Sequence, residues 1–597
     1  MVVAPPGAWA AGRRSRAHGR LIWVLSGLWL LLICWLAFFQ GLGSLGLMDK
    51  TEALFVEVGH QMLERGDWVT PWWNGERFFD YPVWGYWMVG LSFRLFGVSE
   101  WAARLPVALA ASAVVVAAFG LMLAWSPAGE AGRPRILRAA LAAGVLATTP
   151  GWVGWGRTST TDMFLSSAIT LALFGFLLAH RHPHHRWLAP LGRAALAMFA
   201  GIAVLAKGPV GLLLPGLVVV LFLLLTAGWR AWLRWRPLLA MAALFLGVTM
   251  PWYGAAAAVN GADFLGGFLG FSNLQRFTTV LYDHPGPPWF YLPWVVVLLL
   301  PWSLFLPAAM AEQRFWRLRS WRAEAGPGGG LGLFLVLWLG LMVAFFSAAA
   351  TKLPGYILPA LPAGSLLVAL FWRPLPAVAD GRPAGRGPTG ARIAAGVEVV
   401  LLAAMAVAAA LAPGWVARDP AYPAFAAALQ DSGLPLVLCL CLGLSALALL
   451  VMVLGPVWAA WLWVPSLAGF LAVLALVIAP LAPLLDRERQ LPLRELARVA
   501  QAEGRPAEPL FIVGTKRYSI LFYGEPEAFF ISDRRRIARL ALRQQAGSDG
   551  TPASPTVRLL GDRRDLEELD LPEAGVERLA QRGELALWRV QARLLQP

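Results

Sequence analysis

A chain of 597 residues that is 58% hydrophobic and only 14% charged, with 30 Trp and a mean hydropathy of +0.61, is too apolar for a water-soluble globular protein and reads as a polytopic membrane protein. Its formal net charge of +15 does not point to nucleic acid, because the basic residues cluster in short loops between apolar runs, where they orient helices. The three cysteines, Cys34, Cys439 and Cys441, lie inside apolar runs, so neither a disulfide framework nor a cysteine metal site is implied.

In chain order, Arg13, Arg14, Arg16 and Arg20 precede an apolar run from Leu21 to Leu42. That run is long enough to span, exceeds a signal-peptide core and lacks a small-residue cleavage site, so it is expected to remain as the first membrane helix. The positive-inside rule then places the N-terminus in the cytoplasm and the loop beginning at Leu47 outside. Basic loops recur at Arg133 to Arg138, Arg181 to Arg193, Arg230 to Arg236, Arg314 to Arg322 and Arg373 to Arg392. Neighbouring basic loops enclose two apolar stretches, and the opposite connections carry Arg157 and Asp162, Lys207, the segment Asp263 to Pro288, and Lys352 to Tyr356. With further apolar runs at 393–413, 434–454 and 457–482, the expectation is about thirteen spans, an odd number that puts the C-terminus outside.

From Asp486 the composition becomes charged, with strand-like segments Pro509 to Gly514, Glu527 to Ser532, Val557 to Leu560 and Glu584 to Val590, and a helical LRELARVAQAEG. The expected architecture is therefore an α-helical membrane domain, 1–485, with an outer first loop at 44–104, followed by a soluble α/β domain, 486–597, on the outer face. Neither GxxxxGK[ST] nor GxGxxG occurs in that domain. Because nucleotide donors are cytosolic, chemistry on the outer face calls for an activated substrate delivered through the bilayer, and a lipid-linked one is the natural candidate.

The first outer loop, from Leu47 to Tyr86, concentrates acids, bases and aromatics between two apolar runs. Leu54, Val58 and Met62 share one helical face, which predicts a helix lying on the membrane surface. Asp49 is placed to cap it, with Glu52 three residues on completing a capping-box-like pair. A carboxylate there can also orient or deprotonate an acceptor hydroxyl. Trp68, Trp72, Trp73, Phe78, Phe79, Tyr81, Trp84, Tyr86 and Trp87 suit an aromatic belt at the headgroup level, with one or two free to stack on a sugar ring. Lys207 and Lys352, embedded in apolar sequence, need partners or must snorkel. Arg157 and Asp162 admit a structural ion pair and a catalytic role equally. His284, in the HPGP turn, reads as a loop residue facing substrate, and no spacing of His and carboxylates argues for zinc.

The succession of an Asp in the first outer loop, GDWVTPWWNGERFFDYP, RxxxxD, AKGP, RF before HPGPPWFYLP, and KLPGYILPALP resembles the lipid-linked-sugar glycosyltransferases of the GT-C superfamily. Over residues 21 to 372 the chain is most similar to the bacterial aminoarabinose transferases of lipid A and more distantly to the protein O-mannosyltransferases. The resemblance implies an enzyme of the bacterial inner membrane that moves a sugar from a polyprenyl phosphate to a lipid, glycan or protein acceptor on the outer face, usually with inversion. It implies Asp49 as the first-loop catalytic aspartate, Arg157 and Asp162 as a polar pair heading a membrane helix, and Lys207, Arg276, Lys352 and Tyr356 near the donor phosphate.

The chain departs from the pattern at two places. Aminoarabinose transferases usually show Asp-Glu-x-Arg where this chain has Asp49-Lys50-Thr51-Glu52, and Phe-Glu-Lys-Pro where it has Phe79-Asp80-Tyr81-Pro82. These changes weaken the inference of an aminoarabinose donor and a lipid A acceptor. Lys50 is expected to supply part of the positive charge lost at Tyr81, and Glu52 and Asp80 stand as second candidates for binding the sugar or a cation. No cofactor is implied; a divalent metal is compatible with the loop but not indicated. A flippase for lipid-linked intermediates would also use many spans and basic phosphate-binding residues. No inverted repeat supports it, and the charges gather on one side rather than at the midplane. A membrane scaffold leaves Lys207 and Lys352 without purpose.

Overall fold

The computed structural model describes residues 7–125, 132–264, 266, 285–317, 329–372, 389–418, 424–455, 458–506, 508–524, 527–531 and 556–595. Among them ten helices are long and apolar enough to cross a membrane, or eleven if the bent pair Arg133–Ala147 and Pro150–Gly156 is one span. The protein is multi-spanning, and helices passing this test among the described residues number fewer than the thirteen spans expected from apolar length. Val210–Leu225 has only 16 residues, and the Pro-rich stretch after residue 285 breaks into the short helices Tyr291–Leu298 and Leu306–Glu312. Apolar length thus counted segments that proline divides or shortens. The bent pair turns by 65°, with Pro150 opening its second helix.

Thr161–Arg181 and Leu188–Lys207 form a tight antiparallel hairpin. Their closeness rests on two glycines: a Cβ on Gly175 would meet the Gly192 carbonyl at 2.7 Å, and one on Gly192 would meet the Gly175 carbonyl at 2.5 Å. Small residues at a crossing let backbones approach where lipid supplies no hydrophobic drive. The antiparallel pairing sets Asp162, in the first turn of one helix, beside Lys207, in the last turn of the other. Each end also favours that sign of charge through the helix dipole.

The last membrane helix does not stop at the lipid. A continuous helical run, Ala459–Glu503, carries on into the C-terminal part. There its amphipathic end buries Leu493, Leu496, Ala497 and Ala500 against Leu510, Ile512, Leu560 and Leu587 of a sheet. Following a short hairpin in the first loop, β1 (Trp72–Trp73) and β2 (Glu76–Arg77), this sheet contains β3 (Leu510–Val513), β4 (Phe529–Ile531), β5 (Thr556–Asp562), β6 (Val576–Arg582) and β7 (Leu585–Gln591) in the order β4-β3-β5-β7-β6. β3 runs parallel to β4 and β5, while β7 is antiparallel to β5 and β6. The LFIV of β3 is buried on both faces, as expected of an inner parallel strand. The four strand-like segments and the LRELARVAQAEG helix appear in the structure; β6 was not anticipated.

Candidate functional site

The first-loop helix Thr51–Arg65 does not lie flat on a surface. Phe55, Val58 and Met62 pack with Tyr86, Leu205 and Trp252 on one side, and Ala53 and Val56 pack with Phe93 on the other. Several aromatics of the loop take tertiary partners. Tyr86 is buried, Trp87 donates to the Trp68 carbonyl at 2.8 Å, and Trp73 stacks on Phe530 of β4 with Tyr518 edge-on.

Asp49 does not cap its own helix. Lys50, exposed, occupies the N-cap position without a side-chain bond, and Glu52 turns back to accept from the Met48 N–H at 3.0 Å. Asp49 instead reaches the C-terminal part, where its two oxygens accept from the Ser519 N–H at 2.7 Å and the Ser519 hydroxyl at 3.1 Å. Burial pushes its carboxyl above the usual carboxylate range, against the pull of the two Ser519 bonds and the charges of Arg517 and Lys50. Alongside, the Tyr523 hydroxyl binds the Leu47 N–H at 2.7 Å, and Asn74 exchanges two 2.9 Å bonds with the backbone of Ala528.

Glu52 is an anchor rather than a free ligand. It is buried and faces Arg104, whose Nε and Nη2 each donate to one of its oxygens at 2.7 Å. The Ser159 N–H adds a bond at 2.9 Å. Arg104 also donates to the carbonyls of Leu42, Leu45 and Gly46, so one buried guanidinium ties the end of the first helix, the first loop and Glu100–Ala124 together.

The expected Arg157 and Asp162 pair does not form. Asp162 is ion-paired with Lys207, while Arg157 donates to the carbonyls of Ala37 at 3.3 Å and Gln40 at 2.7 Å, closing the end of the first helix. The hairpin described above sets Lys207, and not its sequence neighbour Arg157, level with Asp162. The Lys207 ammonium also lies 4.7 Å from the centre of the Tyr356 ring and 5.4 Å from that of Tyr81, within cation–π range. Gly355 permits this approach, since a Cβ there would meet Asp162 Oδ2 at 3.1 Å and the Trp155 indole at 3.0 Å. Tyr81, in turn, stands edge-on to Phe55 at 5.2 Å, and half-buried Asp80 sits in the bend just before it.

The Lys352 ammonium lies 5.9 Å from the centre of the Tyr291 ring, whose hydroxyl accepts from the Leu353 N–H at 3.2 Å. The ammonium donates to the carbonyls of Ala349 at 2.6 Å and Ser347 at 2.9 Å, terminating Leu331–Ala348. Arg276 and His284 lie outside the described residues. Among the described residues no group of three or more His, Cys, Asp or Glu is placed to hold a metal ion. An apolar groove of about 560 Å³ runs between Val210–Leu225 and Trp235–Phe264, lined by Val204, Pro209, Leu213, Leu217, Phe245 and Tyr253.

Comparisons with known proteins agree with this architecture. The family described as dolichyl-phosphate-mannose-protein mannosyltransferase matches residues 80–254, and the C-terminal domain of cyanobacterial RgtA-type glycosyltransferases matches residues 503–597. The chain is 33% identical to an undecaprenyl phosphate-alpha-4-amino-4-deoxy-L-arabinose arabinosyl transferase of Pseudomonas aeruginosa over 341 residues, 57% of this chain and 58% of that protein. With the enzyme of the same name from Edwardsiella ictaluri it is 30% identical over 323 residues, 54% of this chain and 55% of that one. The aligned part thus spans a little over half the length of these curated relatives. Crystal structures of ArnT from Cupriavidus metallidurans share the fold, at 22% identity. The apo state gives a TM-score of 0.70, covering 98% of this chain and 100% of that one. The form bound to undecaprenyl phosphate gives 0.69, covering 96% and 99%. The GT-C resemblance read from the motifs is borne out by these matches.

Proposed function

We propose that the protein is an integral-membrane glycosyltransferase that takes a sugar from a polyprenyl phosphate and gives it to an acceptor at the outer face of the cytoplasmic membrane, with its N-terminus cytoplasmic and its C-terminal domain outside. The observation that carries this reading is Lys207, paired with Asp162 and covered by Tyr81 and Tyr356. An ammonium in a dry site is the usual device for a phosphate leaving group, and the apolar groove between Val210–Leu225 and Trp235–Phe264 suits a prenyl chain.

The reaction is a displacement at the anomeric carbon. The acceptor oxygen forms the new bond as the bond to the donor phosphate breaks, and polyprenyl phosphate leaves. Lys207 has three N–H donors and spends one on Asp162, so two remain for the phosphate. Arg276 is assigned to the same phosphate from its sequence motif. Asp49 has carboxylate lone pairs left beyond the two engaged by Ser519, and takes or directs the acceptor proton. Lys50 stands exposed beside it, free to add charge, whereas Lys352 shapes the site through the helix end it closes. The undecaprenyl phosphate named in these relatives makes an undecaprenyl-phosphate sugar the first donor to test.

The test is turnover by purified protein in nanodiscs with a panel of radiolabelled polyprenyl-phosphate sugars, wild type beside Asp49→Asn. Label should appear in the acceptor fraction with release of polyprenyl phosphate, and be lost in the variant. Tight donor binding without transfer to any acceptor, unaffected by the variant, would replace the transferase with a carrier of lipid-linked sugar.

A further inference from the structure

A second cavity, of about 360 Å³, lies away from the Lys207 cluster, between the end of the first helix, the Pro150–Gly156 turn and the last membrane helix. Its polar end is formed by Arg104 and Arg157. The Arg104 charge is matched by Glu52, but that of Arg157 is not: its contacts are the carbonyls of Ala37 and Gln40, and among the described residues no ion pair engages it. Three of its five N–H groups remain after those two bonds. Burial, helped by the nearby Arg104 charge, pushes the Arg157 guanidinium down to about 10, the response of a cation without an anion.

The wall opposite is apolar and continuous. Phe470, Leu474, Ile478, Leu481 and Leu485 follow one another at spacings of three or four residues, one stripe of the last membrane helix. Over fifteen residues it extends about 22 Å. All but Leu474 are half-buried, so the wall is reachable from the side. A cation without a counter-ion at one end and a long apolar stripe at the other is the chemistry of an anionic amphiphile. We propose that this cavity binds a phosphate-bearing lipid, its head on Arg157 and a chain along the stripe of the last helix. The occupant is a glycerophospholipid of the surrounding membrane. The site does not depend on the transfer reaction, since such a lipid is neither its donor nor its acceptor.

The test is native mass spectrometry of the full-length protein in detergent micelles, titrated with dioleoyl phosphatidylglycerol, with undecaprenyl phosphate, and with dioleoylglycerol as the phosphate-free control. Two variants are compared. Arg157→Gln removes the charge, and Gly154→Leu places a side chain on the cavity wall at a position where a Cβ meets nothing within 4 Å. Binding of a phosphate-bearing probe should fall about tenfold or more in both variants, the worth of one bond to a charged group, with dioleoylglycerol indifferent to Arg157→Gln. Loss of phosphatidylglycerol binding in both variants supports the membrane-lipid site. Unchanged phosphatidylglycerol binding, or a loss seen only for undecaprenyl phosphate, overturns the proposal, the latter by giving the cavity to the donor.

Discussion

Glu52 and Arg104 offer the sharpest quantitative check on how the first loop is held. The pair is buried, bidentate, and its carboxylate also accepts from the Met48 and Ser159 N–H groups. Arg104→Met leaves a buried carboxylate without its cation, and Glu52→Ala leaves a buried guanidinium without its anion. Removing one partner of a buried pair costs about 3–5 kcal/mol, whereas an exposed pair costs about 1 kcal/mol or less. The doubly substituted Glu52→Leu, Arg104→Met should recover much of that loss, because neither charge is then stranded; a coupling of about 1–3 kcal/mol is expected. The assay is equilibrium unfolding in mixed micelles with increasing SDS, followed by tryptophan fluorescence, for wild type, both single variants and the double. Single effects under about 1 kcal/mol, or a double variant as unstable as the sum of the singles, would refute the claim that this pair organises the loop. Turnover should fall together with stability in the singles, since Glu52 links the loop bearing Asp49 to the turn bearing Arg157 and Ser159.

Lys207→Gln should lower kcat by about 10²–10³, the range for loss of one preorganised electrostatic contact, measured as initial rates with saturating donor. Tyr356→Phe keeps the ring over Lys207, so a cation–π role alone predicts under about threefold loss in kcat/KM, and a larger loss assigns the hydroxyl to the donor phosphate. Ser519→Ala removes the hydroxyl bond that lowers the Asp49 value and lets burial raise that carboxyl further; the acid limb of the pH–rate profile should move to higher pH, and an unmoved limb would separate Asp49 from the titrating group. At His60 burial opposes the imidazolium, but the Glu57 hydrogen bond and the charges of Glu57 and Glu64 outweigh it and hold the ring above its ordinary value. A raised folded value means that this stabilisation is complete below the unfolded value of about 6.5 and is lost as pH rises through the folded one. Tm scanned against pH should decline over that window in wild type and stay flatter in His60→Gln.

Much of the site was readable from local sequence, and what was not depended on distant partners. Lys207 and Asp162 announced themselves as charges in apolar surroundings, yet RxxxxD suggested Arg157 as the partner of Asp162 because the two are close in sequence. Only the glycine-mediated crossing of Thr161–Arg181 with Leu188–Lys207 reveals that Lys207 arrives level with it. Arg104 was passed over because it sits five residues into Glu100–Ala124, where it reads as an interfacial charge at a helix start. A lone arginine among Ala, Leu and Val should itself have prompted a search for a carboxylate. Hydropathy measures how apolar a segment is, while Pro150 and the prolines after residue 285 shape how such a segment divides into helices. VERLAQR in β6 carries little β-branched or aromatic content, and its strand is imposed by pairing with β7.

The first loop and the C-terminal domain also read as separate units because their contacts join residues more than 400 positions apart. In the structure Asp49 is held by Ser519, Leu47 by Tyr523, Asn74 by Ala528, and Trp73 lies between Phe530 and Tyr518. The loop helix is itself wedged between membrane helices and this domain, with Glu52 fastened to Arg104 inside. The setting of Asp49 is therefore built from both ends of the chain. In the long run Ala459–Glu503 one continuous helical segment carries the sheet and fixes its position over the loop. A domain on a flexible linker would sample many positions, and the entropy of holding Ser519 against Asp49 would have to be met by those few bonds alone.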